Sequence, residues 1–498
     1  MLPQLAFLTL NLCAYVTSQP LSKVGFADTS SLHMARGEQE LRQGWTPSPR
    51  ERGTMDILWS CTSTIFLCCW SMLCLNVPGR HDTNGTKLQR KAMIFVLTLF
   101  TPEVITMAAS GQYFAARQSV KDFKAANIDE WSSQHAFFAE MGGFVLQTRD
   151  WVPFPISAKQ LLWLIQHEFV AVPPALTGRI LDRNKVDNLT RSLMITQTVW
   201  FLANFFTRTA QNLSPTAIEL TTVAFIYASL PTMFFWWHKP ADVSQSEILT
   251  TNASMAEILL TGGEAAREPY DRTPLDFLDR REWFWMIYWA HFRVAVRGFG
   301  IPAGTRVRPI DRFSNFSSAE ISAWFFSLGT IYYFGFCAIF VAGWHLSLPS
   351  QREQLLWRVA SLTALGTLIA CFIVTETTFR IWPYLRYSLA ARKGSDVPET
   401  DQSRSMIPSG RRKDGSRTSE GLRPRPRTLW DWMRNNTTSQ NPRLSLPLPT
   451  AALLQLLCFI HLVARLYIVV EDFAAMRSLP SSCYKTTVWQ QFIPHLGQ

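Results

Sequence analysis

Seven stretches of mainly apolar residues, each about 20 long, constrain this chain more than any other feature, because about 20 such residues in a helix cross the ~30 Å hydrocarbon core of a bilayer. They are Asp56–Val77, Ala92–Ser110, Ser192–Thr209, Ala217–Trp237, Ile321–His345, Leu356–Thr378 and Pro449–Val470. An eighth, Lys159–Leu176, contains His167 and Glu168 and runs into Pro173–Pro174. The fold class expected is therefore all-α, a polytopic transmembrane helix bundle of about eight spans. Composition agrees: 47% of residues are hydrophobic and only 17% charged, with 34 Phe and 19 Trp. That balance excludes a disordered chain, a small disulfide-stapled module and an ordinary soluble enzyme.

Orientation follows from where Lys and Arg lie. Met1 to Ser18 reads as a secretory signal, with the apolar run Leu5–Val16 followed by Thr17, Ser18 and Gln19. An N-terminus that starts outside puts the basic loop Arg80–Lys91 in the cytoplasm. Counting Lys159–Leu176 as a crossing also places Arg179–Arg191, Lys239–Arg312 and Arg380–Arg443 there, with Gly111–Ala158 and both termini outside. Seven crossings after an uncleaved N-terminal anchor give the same parity. These expectations locate the protein in the secretory pathway, at the plasma membrane or in an endomembrane.

The net charge of +11, from 48 Lys and Arg against 37 Asp and Glu, is then a topology signal and needs no nucleic acid. Ala391–Pro447 holds twelve Lys/Arg, six acids and six Pro, too little apolar surface to offset chain entropy, and reads as a disordered cytosolic loop. Its clusters Arg411, Arg412, Lys413 and Arg423, Arg425, Arg427 suit anionic headgroups of the cytosolic leaflet at roughly 1 kcal/mol per nearby charge; plain topology marking is the alternative. The bilayer is the partner expected. Glu282–Phe292, flanked by Arg280, Arg281, Arg293 and Arg297, reads as an interfacial aromatic helix or as a packing helix of a small cytosolic subdomain.

Ionisable groups at membrane depth cost at least a few kcal/mol unless paired or hydrated, so each is a functional candidate. Glu103 is foremost: it lies near mid-span and follows Pro102, which removes a backbone hydrogen bond. A Pro–Glu pair there can hold an amine, a cation or a proton; as structural glue it would pair with a residue such as Arg465. Gln197 and Asn204, seven apart, share a helix face with Trp200 and Arg208, as an interhelical seam or as path-lining residues. His461, four residues before Arg465, is the one weak catalytic candidate, as an acyl-transfer base. Cys61 and Cys68 share a helix face that could serve a soft metal, although buried thiols are commonly just small apolar side chains. No metal or cofactor site is expected: no phosphate-binding or dinucleotide-type glycine motif occurs, and His167–Glu168 is not completed as H-E-x-x-H, since Ala171 stands in the last place.

Several motifs together resemble a fungal family of multi-spanning integral membrane proteins with no assigned function. They are Asp56-Ile-Leu-Trp-Ser-Cys61 with Asn76-Val-Pro78; Pro102-Glu103; Gln112 with Ala115-Ala116-Arg117; Met141-Gly-Gly-Phe144; and Asp182, Lys185 and Asp187. Ile218-Glu-Leu-Thr-Thr222, Trp236-Trp237 with Lys239-Pro240, and the tail from Glu471 through Arg477-Ser-Leu-Pro480 to Phe492-Ile-Pro-His495 complete the set. The resemblance implies a fungal origin and a polytopic membrane fold, and brings no activity or catalytic residue. The functions left open are a transporter, channel-like or sensor protein; a membrane-embedded lipid or acyl transferase; and a receptor or scaffold signalling through the basic loop.

Overall fold

The computed structural model describes residues 42–48, 52–173, 178–240, 243, 245–267, 270, 272–279, 308–313, 315, 323–382, 385 and 448–486. The chain is mostly helical. Its main helices are α1 (Thr54–Ser71), α2 (Asn84–Phe100), α3 (Pro102–Ala125), α4 (Ser133–Glu140), α5 (Ala158–Gln166), α6 (Gly178–Ala210), α7 (Ala217–Phe235), α8 (Ala323–Ala342), α9 (Gln351–Glu376) and α10 (Leu448–Ala474). Among the described residues five short strands accompany them: β1 (Arg42–Gln43), β2 (Phe144–Gln147), β3 (Phe154–Pro155), β4 (Glu247–Thr250) and β5 (Leu479–Pro480). The chain divides into two compact units, one of Met1–Met255, Asp311–Leu365 and Leu462–Gln498, the other of Ala256–Ile310 and Gly366–His461.

In the first unit α7 is central. It is apolar all round, and 78% of its most apolar window is buried, against 28% for α9 and 22% for α10. A helix hydrophobic on every side needs neighbours on every side. Its start is set by a capping box: Thr216 Oγ1 accepts from Glu219 N at 3.3 Å, and Glu219 Oε2 accepts from Thr216 N at 2.9 Å. α1 runs parallel to α7, from Arg52 beside Glu219 to the Cys74 carbonyl beside Lys239. α6 runs antiparallel, with Arg208 near Glu219 at one end and Arg191 donating to the Trp236, Trp237 and Lys239 carbonyls at the other. α8 is antiparallel as well, since a Cβ on Gly335 would meet Tyr227 and one on Gly343 would meet Leu220.

These pairings define two ends of the first unit. At the tail face β1 pairs antiparallel with β5, and Tyr484 donates to the Gly44 carbonyl. At the opposite, lysine face, β2 pairs with β3 and, in parallel register, with β4.

The chain turns sharply at Thr101–Pro102, where α2 and α3 meet at 112°. Thr101 leaves helical geometry (φ −141°, ψ 61°), and Pro102 opens α3 at a position where its missing N–H costs nothing. α3 then runs beside the second half of α7 in the same direction. Thr106 Oγ1 contacts the Ala228 carbonyl at 3.1 Å and Thr232 Oγ1 at 2.8 Å, and further along Gln112 Oε1 accepts from Trp236 Nε1 at 3.0 Å. Asn76, which precedes α2, and Gln112 on α3 both accept from Lys239. The α2–α3 pair therefore leaves the lysine face and returns to it, with Pro102 and Glu103 at its tip.

Several expectations need correction. Ala92–Ser110 is not one continuous helix but the end of α2, the break and the start of α3. Lys159–Leu176 is not a span: α5 has 9 residues, about 13 Å long, and ends where Glu168 takes a left-handed conformation (φ 62°). Placing Gly111–Ala158 and Lys239–Arg312 on opposite sides of a bilayer also fails, because β2 and β4 share a sheet. Among the described residues, three helices, α7, α9 and the segment Leu448–Arg477, are long and apolar enough to cross a membrane, or four with the bent pair counted as one, rather than eight. The N-terminal signal, the aromatic segment Glu282–Phe292, the loop Ala391–Pro447 and its six basic headgroup candidates lie outside the described residues.

Candidate functional site at the tip of the bent helix pair

Among the described residues of the first unit, three groups of buried charge join different helices, with Glu471 and Asp472 a further pair near the end of α10, and how fully each of the three is bonded separates them. At the tail face, Glu219 accepts from Arg52 Nη1 at 2.5 Å and has Arg208 Nε at 3.8 Å. Arg208 also donates to the Lys485 carbonyl at 2.6 Å and the Cys483 carbonyl at 2.9 Å, tying α6 and α7 to the tail. At the lysine face, Lys239 Nζ donates to the Cys74 carbonyl at 2.7 Å, Gln112 Oε1 at 2.8 Å and Asn76 Oδ1 at 3.2 Å, and lies 4.4 Å from the Trp236 ring centroid. Burial pushes the Lys239 ammonium down to about 8, while three acceptors use all three of its protons. Asn315 completes the box, accepting from Asn76 N at 2.8 Å and from Gln112 Nε2 at 3.0 Å. Both groups have the satisfied geometry of structural clamps.

The third group is different. Glu103 and Arg465 are each 2% exposed and lie within electrostatic reach of one another. No ion pair within 4.0 Å joins them, and Glu103 Oε2 and Arg465 Nη1 are both buried without a hydrogen-bond partner. Arg465 is held instead by its Nε, which donates to the Phe100 carbonyl at 3.3 Å, and by the rings of Phe336 and Phe340, whose centroids lie 4.9 and 4.6 Å away. Cation–ring contacts stabilise a guanidinium by about 0.5–2 kcal/mol each. They leave its planar donor fork free for a further acceptor.

One turn along α3, Thr106 gathers hydroxyls from two more helices. Its Oγ1 lies 2.8 Å from Thr232 Oγ1 and 3.2 Å from the Tyr332 hydroxyl. Tyr332 stacks on Tyr227, with ring centroids 4.8 Å apart. The tip thus presents a carboxylate, a guanidinium and a row of hydroxyls contributed by α3, α7, α8 and α10. Leaving a buried charged group unbonded costs more than the about 1–3 kcal/mol of a neutral one. Such a cost, persisting beside the satisfied Glu219 and Lys239 groups, marks a place held ready for a ligand or a proton.

The other expected residues do not join this site. Gln197 donates to Thr64 Oγ1 of α1 at 3.2 Å, which makes it part of the α1–α6 seam. Asn204 lies on the same helix, half-buried. His461 belongs to the second unit, where its Nδ1 lies 3.1 Å from Thr367 Oγ1. Cys61 and Cys68 are buried, and among the described residues no group of three or more His, Cys, Asp or Glu is placed to hold a metal ion. Sequence reasoning paired Glu103 with Arg465 and missed the Lys239 box. All of Asn76, Gln112, Trp236 and Lys239 stood among the motifs that carried the resemblance, but nothing in their spacing joined them.

Neither a curated protein nor a solved structure matches this chain. Residues 29–261 and 433–496 match one family, which takes in the tail-face clamp, the Lys239 box except Asn315, and both Glu103 and Arg465. The chain belongs to that family, DUF8562, a family of unknown function.

Proposed function

We propose that this is a polytopic membrane protein with transport or channel-like activity, in which the α2–α3 pair is a re-entrant hairpin and Glu103 is the charged residue of the path. On this reading α1, α6, α7, α8, α9 and α10 cross the bilayer. Outward-facing apolar side chains support it: Met55, Trp59, Phe66 and Trp70 on α1, Leu193, Val199 and Phe206 on α6, and Leu462, Leu466 and Val470 on α10 are all exposed. Six crossings and a re-entrant pair leave the basic segments Arg80–Lys91, Arg179–Arg191, Lys239–Arg312 and Arg380–Arg443 on one side by parity, as the positive-inside rule asks. The eighth crossing is then unnecessary. Broken helices at membrane depth belong where backbone lines a polar path or is buried in protein.

The observation that carries the reading is the unbonded Glu103–Arg465 pair at the hairpin tip. It separates a working site from structural glue by experiment. The full-length protein, reconstituted in vesicles, is expected to give charge movement on a solid-supported membrane, and Glu103→Gln to abolish it while thermal stability is kept or raised. A loss of more than about 2 kcal/mol in Glu103→Gln would mark Glu103 as glue and refute the path.

A second reading rests on the other unit. His461 bonded to the Thr367 hydroxyl is the base-and-hydroxyl arrangement that an acyl transferase uses. Thr367→Val would then remove acyl transfer from a lipid donor without touching charge movement. A receptor or scaffold acting through Ala391–Pro447 is tested by deleting that loop. The lipid-headgroup role of Arg411–Lys413 and Arg423–Arg427 is tested by binding to vesicles with and without anionic lipid.

A further inference from the structure

Toward the lysine face the hairpin leads to the Lys239 box, whose ammonium is fully bonded. Toward the tail face it is continued by ionisable groups whose exposure falls step by step. The Arg477 side chain is 55% exposed and its ion-pair partner Glu353 19%, while Glu471 is 3% exposed and Asp472, Arg465 and Glu103 are 2% each. Tyr467 joins the outer members, its hydroxyl lying 3.1 Å from Glu471 Oε2 and 3.4 Å from the Glu353 carbonyl. Asp472 is held by Thr221, which donates to its Oδ1 at 2.9 Å. Glu353 Oε2, Glu471 Oε1, Arg465 Nη1 and Glu103 Oε2 are each buried without a partner, so an unsatisfied atom stands at both ends of the line, with the bonded Asp472 between them.

Building on the reading of Glu103 as the charged residue of the path, we propose that Glu103 exchanges a proton with water on the tail face through Glu353, Glu471 and Asp472, with Arg465 as the fixed cation beside the route. A proton taken up from water at Glu353 converts that carboxylate to the acid. Each transfer inward returns one group to carboxylate and makes the next an acid, so only O–H bonds form and break and one proton moves in all. Arg465 and Asp472 are seven residues apart on one face of α10, about 10 Å along its axis. Glu103 faces Arg465, so on this proposal the inner step from Asp472 to Glu103 is carried by water entering from the tail face. The guanidinium repels other cations there.

The groups facing this line from the packed helices are few. Around Glu103 they are Arg465 of α10 with Tyr332 and Cys337 of α8. Around Asp472 they are Arg465, Glu471 and Cys61 of α1, and around Glu471 they are Glu353 of α9, Tyr467 and Arg477.

The test uses the full-length protein in lipid nanodiscs, which leave both faces open, and follows the carboxylic-acid C=O stretch by infrared spectroscopy after a pH jump. A pH-responsive band is expected that Glu103→Gln removes and Asp82→Asn leaves alone. Glu471→Gln is expected to keep the band's equilibrium amplitude and to slow its appearance tenfold or more. Glu353→Gln, nearer the surface, serves if Glu471→Gln does not fold. Identical wild-type and Glu103→Gln spectra, or unchanged rates in the Glu471 or Glu353 variant, overturn the proposal. If band and rates behave as expected while Glu103→Gln retains full charge movement, the proton route stands and the transport reading alone falls.

Discussion

Glu219→Gln isolates the charge of the tail-face clamp from everything else Glu219 does. Glutamine can keep the capping box, because its amide oxygen still accepts from Thr216 N at the third position of α7. What is lost is the counter-charge to two arginines, Arg52 with its side chain 14% exposed and Arg208 at 4%. Removing one partner of a buried ion pair costs about 3–5 kcal/mol, since the other is left charged and uncompensated. Arg208 keeps its tail carbonyls and Arg52 keeps some water, which puts the expected loss near the lower end, at about 3 kcal/mol. Intrinsic tryptophan fluorescence during heating of the detergent-purified protein reads this directly. The double variant Arg52→Met/Glu219→Gln is expected to recover at least 1 kcal/mol of the loss, as residues in one network couple by about 0.5–3 kcal/mol. A loss below 1 kcal/mol in Glu219→Gln, or a double variant no better than the single, would refute the clamp.

Three further outcomes follow from the same structure. The depressed Lys239 ammonium means that the unfolded chain binds more protons than the folded one between about pH 8 and the ordinary lysine value, so stability should rise with pH across that window and cease to do so in Lys239→Met. Asp82 is held below the ordinary carboxylate range despite partial burial, by bonds from Arg90 and the Gly79 amide; the stability it contributes is present at neutral pH and lost as pH falls through its folded value, and Asp82→Asn should abolish that part of acid destabilisation. Gly143→Ala would set a Cβ 2.5 Å from the Phe138 ring, and overpacking of this kind costs about 1–3 kcal/mol, measurable as a lowered melting temperature; an unchanged value would show that the ring moves aside freely.

Much of this architecture is legible in the sequence, because lipid-length apolar segments need no tertiary context. α1, α6, α7, α8, α9 and α10 each coincide with a segment read from hydropathy. The errors share one cause: a hydropathy window counts apolar residues and is blind to direction. Ala92–Ser110 passes as one continuous span although the chain turns through 112° at Thr101, and only Pro102 hinted at it. Lys159–Leu176 passes because nothing in a window registers the turn at Glu168. Glu471 and Asp472 read as residues beyond the last span, yet α10 continues to Ala474 and buries both. The Lys239 box draws on positions 74, 76, 112, 236, 239 and 315, a set that only the fold brings together. The Glu103–Arg465 relation was readable because two unpaired charges in apolar helices have few other partners to seek.

The re-entrant course proposed for α2 and α3 is tested most directly by sidedness. Single cysteines placed at Thr83, before α2, at Asn127, after α3, and at Trp45, beside β1, are probed with a membrane-impermeant maleimide in sealed, uniformly oriented vesicles, with the unaltered chain as background. Positions 83 and 127 should label from the same side, opposite to position 45. Labelling of 83 and 127 from opposite sides would make the bent pair a crossing and contradict the hairpin.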